Sequence, residues 1–86
     1  MYRIETTGAF VQSFEKLPRS VQGRTHALIE LLAIDYRDSR LHTKKLRGDR
    51  PEYSFRVGRD YRCMFSFENG TTILLIDVAY RKDIYR

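Results

Sequence analysis

The spacing of apolar residues divides the first half of the chain into a short strand and two helices. Residues 2–5 alternate apolar and polar side chains, which predicts a strand. Phe10, Phe14 and Leu17 then fall at helical spacing. Pro18 ends this pattern, because the residue before a proline avoids the helical region. A second, longer helix is predicted to follow directly, so that the two form an αα-hairpin.

Three alternating segments in the second half predict an antiparallel meander. They are residues 53–57, 61–67 and 72–78. Residues 58–60 make the first turn, and Asn69-Gly70 makes the second, which is the strongest hairpin signal in the chain because both residues tolerate positive φ. Residues 35–52 lack such a pattern and are predicted to be a loose connection.

The lengths of the two turns predict which side chains share a face of the sheet. A three-residue first turn places Arg56 opposite Arg62, and a two-residue second turn places Arg62 opposite Asp77. The face toward the helices is then apolar: Tyr53, Phe55, Val57, Tyr61, Cys63, Phe65, Leu74, Ile76 and Val78. The outer face carries Ser54 with the charged residues, and it also holds three apolar ones: Met64, Ile73 and Leu75. The predicted fold class is therefore α+β, with the N-terminal strand and the αα-hairpin packed on one face of a small, mainly antiparallel sheet.

The size, charge and cysteine content narrow the class of protein. Eighty-six residues suit one domain, spanning 1–86, and 16 Lys and Arg against 11 Asp and Glu give a net charge of +5, which favours an anionic partner. The single cysteine, Cys63, cannot form an internal disulfide, and its strand position predicts a buried, inert thiol in a cytoplasmic protein. The longest apolar run, residues 73–76, is too short to cross a bilayer, so no membrane partner is expected.

Three arginines and a tyrosine in the second half of the chain carry the candidate chemistry: Arg56, Arg62, Arg81 and Tyr85. The planar guanidinium group of arginine can donate two parallel hydrogen bonds to a phosphate, and an aromatic ring can stack on any base. Arginines that face each other across two strands repel unless an anion or a carboxylate lies beside them. Two interpretations are open: a phosphate-binding face, or a solvated network in which Asp77 neutralises the arginines.

Four segments of the sequence carry a family resemblance: FEKLP at residues 14–18, HTKKLRG at 42–48, RVGRDYR at 56–62 and RKDIY at 81–85. In this order and spacing, the chain resembles the RelE/ParE toxin superfamily of bacterial toxin–antitoxin systems over nearly its whole length. The final RKDIY is more similar to the RelE-like ribonuclease branch than to the ParE-like gyrase inhibitors. The resemblance implies the RelE-like fold.

The resemblance also implies a function, which is cleavage of mRNA in the ribosomal A site without a metal or another cofactor. Such a toxin is silenced by a cognate antitoxin, contacts ribosomal RNA, and uses the 2′-hydroxyl of the mRNA as nucleophile, leaving a 2′,3′-cyclic phosphate or a 3′-phosphate. By position, Arg62 would stabilise the pentavalent phosphorane, Arg81 would lie by the leaving 5′-oxygen, and Tyr85 would stack on or orient a substrate base. Arg56 stands where the family has a lysine placed for base or electrostatic work, and Ser54 departs from a second family lysine.

That departure leaves the general base open. A guanidinium is a poor base because its pKa lies above about 12, so Arg56 is expected to position and neutralise the phosphate. His42 is the candidate base instead. The expected substrate and RNA contacts are Lys44, Lys45, Arg47, Ser54, Arg59 and Lys82. Two alternatives to the endoribonuclease stay open: a ParE-like gyrase inhibitor, and a catalytically weakened toxin that only binds its antitoxin.

Overall fold

The computed structural model describes residues 1–84, which form two helices on one face of a five-stranded sheet. The elements in chain order are β1 (Arg3–Thr6), α1 (Gly8–Glu15), α2 (Arg19–Ile34), a 3₁₀ turn (Ser39–Leu41), β2 (Lys44–Lys45), β3 (Tyr53–Val57), β4 (Tyr61–Asn69) and β5 (Thr72–Tyr80). The strand order is β1-β5-β4-β3-β2, with β1 parallel to β5 and the other pairs antiparallel. The predicted α+β fold class is confirmed. None of the helices in residues 1–84 is long and apolar enough to cross a membrane.

Side-chain hydrogen bonds fix the αα-hairpin at both of its ends. The Thr7 hydroxyl caps α1 by accepting a hydrogen bond from the backbone N–H of Phe10 at 3.0 Å, and it donates to the carbonyl of Ile76 in β5 at 2.7 Å. The side-chain amide of Gln22 in α2 donates to the carbonyl of Phe14 at the end of α1, at 3.1 Å. The hairpin is therefore tied to the sheet at its start and closed by a side chain at its turn.

A single leucine gives structure to the segment that was predicted to be a loose connection. Leu41 is fully buried and lies in the core beside Leu32 of α2 and Phe55 of β3. The 3₁₀ turn that carries Leu41 and the two-residue strand β2 make the prediction of a loose segment over residues 35–52 wrong in part. One isolated leucine has no periodicity, so its burial could not be deduced from the spacing of its neighbours.

The predicted register between β3 and β4 is confirmed. Arg56 lies opposite Arg62, and the turn between the strands has three residues. Gly58 opens this turn with φ +66°, and a Cβ placed there would lie 2.9 Å from a guanidinium nitrogen of Arg24. The turn therefore uses the backbone freedom of glycine, whereas the Arg24 side chain could move aside for a Cβ.

The predicted register between β4 and β5 is wrong. Arg62 lies opposite Ala79, and Asp77 lies opposite Met64, so the expected Arg62–Asp77 pair does not form. Two irregularities shift the pairing, one beside Met64 and one beside Asn69. Each irregularity inserts one unpaired residue, which a count from the turn cannot anticipate.

The turn that joins β4 and β5 is displaced by one residue from its predicted place. Asn69 pairs with Thr72, so Gly70 and Thr71 form the turn. The side-chain oxygen of Asn69 accepts hydrogen bonds from the backbone N–H and the hydroxyl of Thr71, at 2.8 and 2.9 Å. This local bonding by the asparagine side chain favours the displaced turn over the one that the Asn-Gly pair predicts.

The shifted register exchanges the two faces of β5 along its first half. Ile73 and Leu75, predicted on the outer face, are 0% and 1% exposed and belong to the core. Leu74 and Ile76, predicted in the core, are half-buried. Val78 still lies in the core, because the irregularity between it and Leu75 restores the alternation.

Candidate nucleic-acid interface

A groove with a volume of about 640 Å³ brings together most of the basic residues that the sequence singled out. It is lined by His42, Thr43, Lys44, Ser54, Arg56, Arg62, Arg81 and Lys82. Five of these eight side chains are Lys or Arg, and none is a carboxylate. This basic groove is a region of concentrated positive charge, which suits an anionic ligand.

The sheet orients two of the groove arginines. Arg56 and Arg62 are cross-strand neighbours, and they alternate with Phe55 and Cys63, both of which are fully buried. Since successive side chains of a strand point to opposite faces, burial of these two residues turns both guanidiniums outward. Arg62 is further fixed by a hydrogen bond of 3.1 Å that its guanidinium donates to the carbonyl of Tyr61.

The end of β5 brings Arg81 to the same groove. Its backbone N–H donates to the carbonyl of Asp60 in the β3–β4 turn at 2.8 Å. One turn later, Ile84 is 5% exposed, and its backbone N–H donates to the carbonyl of Tyr80 at 3.1 Å. Backbone hydrogen bonds at Arg81 itself and at Ile84 therefore hold this segment in place. Tyr85 lies outside the described residues, so its stacking role stays a prediction.

His42 also lines the groove, and both of its neighbours in the chain are held in place. Leu41 before it is fully buried, and the hydroxyl of Thr43 after it donates to the carbonyl of Tyr36 at 2.6 Å. His42 itself is exposed and has φ 50°, in the left-handed region that few residues other than glycine adopt. Lys44 follows in β2, where it pairs with Ser54.

Two residues of the outer face, Ser54 in the groove lining and Met64 beside it, are buried. Ser54 is 2% exposed, and its cross-strand neighbour Met64 is 9% exposed. Both residues alternate with core residues along their strands, so they belong to the outer face. The sequence predicted Met64 on this face, and the structure shows that it is buried there.

Three solved structures have this arrangement of strands and helices. The RelB–RelE antitoxin–toxin complex from Methanococcus jannaschii contains a chain that is 29% identical, with a TM-score of 0.77 and 94% of each chain covered. The archaeal RelE–RelB complex from Pyrococcus horikoshii OT3 gives 22% identity and a TM-score of 0.78, covering 95% of this chain and 97% of that one. YafQ from E. coli strain BL21(DE3) gives 11% identity and a TM-score of 0.81 over the whole of both chains.

The chain has the RelE-like toxin fold. No protein-family model matches the sequence, and no curated protein does either. The likeness to RelE-like toxins is therefore carried by the three-dimensional arrangement together with the modest identity to the Methanococcus jannaschii chain.

Three of the predicted RNA contacts lie outside the basic groove of this RelE-like fold. Lys45 follows Lys44 in β2 and lines a neighbouring cavity. Arg47 lies in the loop after β2, and Arg59 lies at the β3–β4 turn near Arg24. A surface that used all of them would have to extend well beyond the groove.

The ion pairs argue against the interpretation in which carboxylates neutralise the groove arginines. Within residues 1–84 the pairs are Arg3–Glu5, His26–Glu30, Arg40–Asp38 and Arg50–Glu52. None of them includes Arg56, Arg62 or Arg81. Asp77 uses a side-chain oxygen to accept a hydrogen bond from the N–H of Val78 at 2.9 Å.

Other reactive groups are unsuited to chemistry in this groove. Cys63 is fully buried, and burial raises the pKa of its thiol, so it is no nucleophile. The predicted burial of this thiol is confirmed. In the part of the chain that the structure describes, no cluster of three or more His, Cys, Asp or Glu side chains could hold a metal ion. Sequence reasoning missed Thr43 as a lining residue, although its place between His42 and Lys44 pointed to it.

Proposed function

We propose that this protein is the toxin of a toxin–antitoxin pair and that it is an endoribonuclease, which cleaves mRNA in the ribosomal A site and so inhibits translation. The observation that carries the proposal is the convergence of five cationic side chains in one groove of a RelE-like fold, with no carboxylate side chain among the lining residues of 1–84. The structures with this fold include RelE toxins bound to their antitoxins.

The groove has the charge and the geometry to hold a phosphodiester. Arg56 and Arg62 are direct cross-strand neighbours, and an anion between them would replace their repulsion with charge-assisted hydrogen bonds. Arg81 and Lys82 approach from the end of β5, and Lys44 from β2. A phosphate in the centre would therefore be surrounded by cations on three sides.

The proposed reaction is attack by the 2′-oxygen of the RNA on the adjacent phosphorus. The new bond from the 2′-oxygen to phosphorus forms while the bond from phosphorus to the 5′-oxygen breaks, leaving a 2′,3′-cyclic phosphate and a 5′-oxygen that takes a proton from water to become a 5′-hydroxyl. Negative charge grows on the phosphoryl oxygens and on the leaving oxygen in the transition state. We assign Arg62 to the phosphoryl oxygens and Arg81 to the leaving oxygen, because prepositioned cations stabilise such charge without reorganising.

His42 is the proposed acceptor of the 2′-hydroxyl proton. It carries the one imidazole among the lining residues, and imidazole is the side chain best suited to accept a proton at neutral pH. The other histidine, His26, lies in α2 with its Nδ1 3.2 Å from a carboxylate oxygen of Glu30. Arg56 holds its proton too tightly to act as a base.

A cognate antitoxin is the proposed protein partner. The matched RelE chains from Methanococcus jannaschii and Pyrococcus horikoshii OT3 are in complexes with RelB, and YafQ is also found with DinJ. An antitoxin segment rich in acidic residues would match the charge of the basic groove and would exclude mRNA from it. Ribosomal RNA is the proposed second partner, contacted by the basic residues outside the groove, which include Lys45, Arg47 and Arg59.

The test is to incubate the purified protein with programmed ribosomes and to map the 5′ ends of the mRNA. We expect discrete cleavage within A-site codons, and we expect Arg62→Gln and Arg81→Gln each to lower the rate by about 10²–10³. Arg19→Gln is the matched control, since Arg19 is an exposed arginine at the start of α2 and outside the groove. Intact message at stoichiometric protein, or equal rates for all three variants, would contradict the proposal.

One observation favours a catalytically weakened toxin as the second candidate. Ser54 lines the groove with 2% exposure, at a position where the resemblance leads one to expect a lysine. If catalysis needs the amine that Ser54 lacks, Ser54→Lys will raise the rate of mRNA cleavage. In that case, bacteria that express the wild-type chain alone will grow normally. Growth arrest by the wild-type chain would dismiss this candidate.

A further inference from the structure

A second cavity, with a volume of about 600 Å³, adjoins the basic groove at the beginning of β2. The two cavities share His42 and Thr43, and the alternation of β2 directs Lys44 to the groove and Lys45 to the second cavity. Tyr36 and Tyr53 line the second cavity and do not line the groove. We call this cavity the tyrosine pocket.

The rings of the tyrosine pocket are held rigidly by other aromatic residues. Tyr53 stacks on Phe65 with ring centroids 5.5 Å apart, and Tyr36 meets Tyr53 edge-on at 6.4 Å. Tyr36 also meets Phe67 edge-on at 5.0 Å. Both tyrosines are half-buried, so each is fixed by the core on one side and still borders the cavity. Rigid, half-exposed rings are efficient stacking surfaces, because little conformational entropy remains to be lost.

Cationic groups accompany these rings. The guanidinium of Arg37 donates to the Tyr36 hydroxyl at 3.0 Å, and its central carbon lies 5.2 Å from the centre of the ring. Lys45 is the strand partner of Tyr53. Among the lining residues that the structure describes, the one carboxylate is that of Asp38, which already accepts two hydrogen bonds from the Arg40 guanidinium, at 3.0 and 2.9 Å. Aromatic rings with neighbouring cations are the combination that binds single-stranded nucleic acid.

We propose that the tyrosine pocket binds the base of the nucleotide next to the phosphate that occupies the basic groove. The RNA strand then passes over Thr43 and bends around the edge of the sheet, where β2 is only two residues long. The hydrogen bond from Thr43 to the Tyr36 carbonyl, 2.6 Å long, keeps the shared wall in place. This inference rests on the proposed function, because it takes a phosphate in the groove as its starting point.

The direct test follows the backbone amide resonances of the protein during titration with a 2′-O-methyl trinucleotide, which cannot supply the attacking hydroxyl. We expect Arg56 and Arg62 in the groove, and Lys45 and Tyr53 in the pocket, to shift together. The titration is then repeated with three trinucleotides, each of which lacks the base at a different position. We expect one of these abasic ligands to leave the resonances of the pocket amides unshifted while it still shifts those of the groove amides.

The possible results separate the two proposals. Groove amides that respond while the pocket amides stay silent with every ligand would overturn the base site and leave the endoribonuclease standing. Pocket shifts that persist with each abasic ligand would show contact with the RNA backbone alone, and they too would overturn it. Groove amide resonances that do not shift with any of the ligands would contradict the proposed function and, with it, the base site.

Filling the pocket provides an independent test. Ser39 is exposed, lines the tyrosine pocket and does not line the groove, so Ser39→Trp should obstruct the base. Ser20→Trp is the matched control, at an exposed position beside a different cavity. We expect Ser39→Trp to weaken trinucleotide binding roughly 5- to 150-fold, the equivalent of one stacked base, and Ser20→Trp to leave it unchanged. Equal affinities, with amide spectra that show both variants folded, would overturn the site.

Discussion

Removing one groove arginine should make the protein more stable while it weakens phosphate binding. Arg56 is the residue of choice, since it is exposed and stands directly opposite Arg62, whereas Arg62 would also lose its hydrogen bond to Tyr61. Within the described residues, no ion pair offsets the repulsion between the two guanidiniums. Arg56→Gln keeps a long polar side chain and removes the charge.

The expected magnitude follows from the cross-strand geometry. Like charges directly opposite on a sheet destabilise it by about 0.2–1 kcal/mol. For a domain of this size, 1 kcal/mol shifts the melting temperature by about 4–8 °C, so Arg56→Gln should raise it by about 1–8 °C at low ionic strength. The difference should shrink in 1 M salt, where the screening length falls to about 3 Å. Inorganic phosphate should raise the melting temperature of the wild type more than that of the variant.

The assay is thermal unfolding at low salt, at high salt and with phosphate. Arg59→Gln is the control, because Arg59 is an exposed arginine of the same hairpin that lies outside the groove. It should change the stability by less than about 0.5 kcal/mol and leave the phosphate response intact. A lower melting temperature for Arg56→Gln, or equal effects of the two substitutions, would refute the idea that the groove cations repel one another.

Three further outcomes test the fold around the groove. Thr7→Ala should lower the free energy of unfolding by about 1–2 kcal/mol in urea titrations, because it removes the α1 cap and the hydrogen bond to Ile76. Thr7→Ser should keep most of both interactions, and equal losses of stability in the two variants would contradict this. The hydrogen bonds from Arg40 lower the pKa of Asp38 from 3.8 to about 2, so this carboxylate stabilises the fold above pH 3.8 and ceases to do so as the pH falls toward 2. Arg40→Gln should return the pKa of Asp38 toward 3.8 in a carboxyl NMR titration, and an unchanged value would contradict the assignment. Burial raises the pKa of the Cys63 thiol, so a thiol reagent should label Cys63 only as the protein unfolds; rapid labelling of the native protein would be the contrary result.

The candidate site could be predicted from the sequence as far as it depends on the β3–β4 hairpin. A three-residue turn and strict alternation place Arg56 opposite Arg62 on the face away from Phe55, and the structure has this pairing. The path of the chain that brings His42 to the groove could not be predicted in this way. It depends on burial of Leu41 and on the bond from Thr43 to Tyr36, both of which join residues that share no periodic pattern.

The tyrosine pocket shows the same limit. Tyr36 and Tyr53 are 17 positions apart by their numbers in the chain, and they meet because Tyr36 follows α2 while Tyr53 opens β3. Sequence spacing assigns Tyr53 to the core-facing side of its strand, and the structure agrees. The sequence contains no signal that Tyr36 lies beside Tyr53 or that a cavity remains next to both.

Local patterns in the sequence account for both α-helices, the strands other than β2, the α+β class, the basic character and the outward direction of the hairpin arginines, because helix and strand periods and short turns act over a few residues. Long-range packing sets the β4–β5 register, the burial of Ile73 and Leu75, and the places of Arg81 and His42 in the groove. Local patterns miss these features because an unpaired residue in a strand is stabilised by distant partners. The carbonyl of Ile76 at the irregularity accepts a hydrogen bond from Thr7, 69 positions away, and no local pattern encodes that bond.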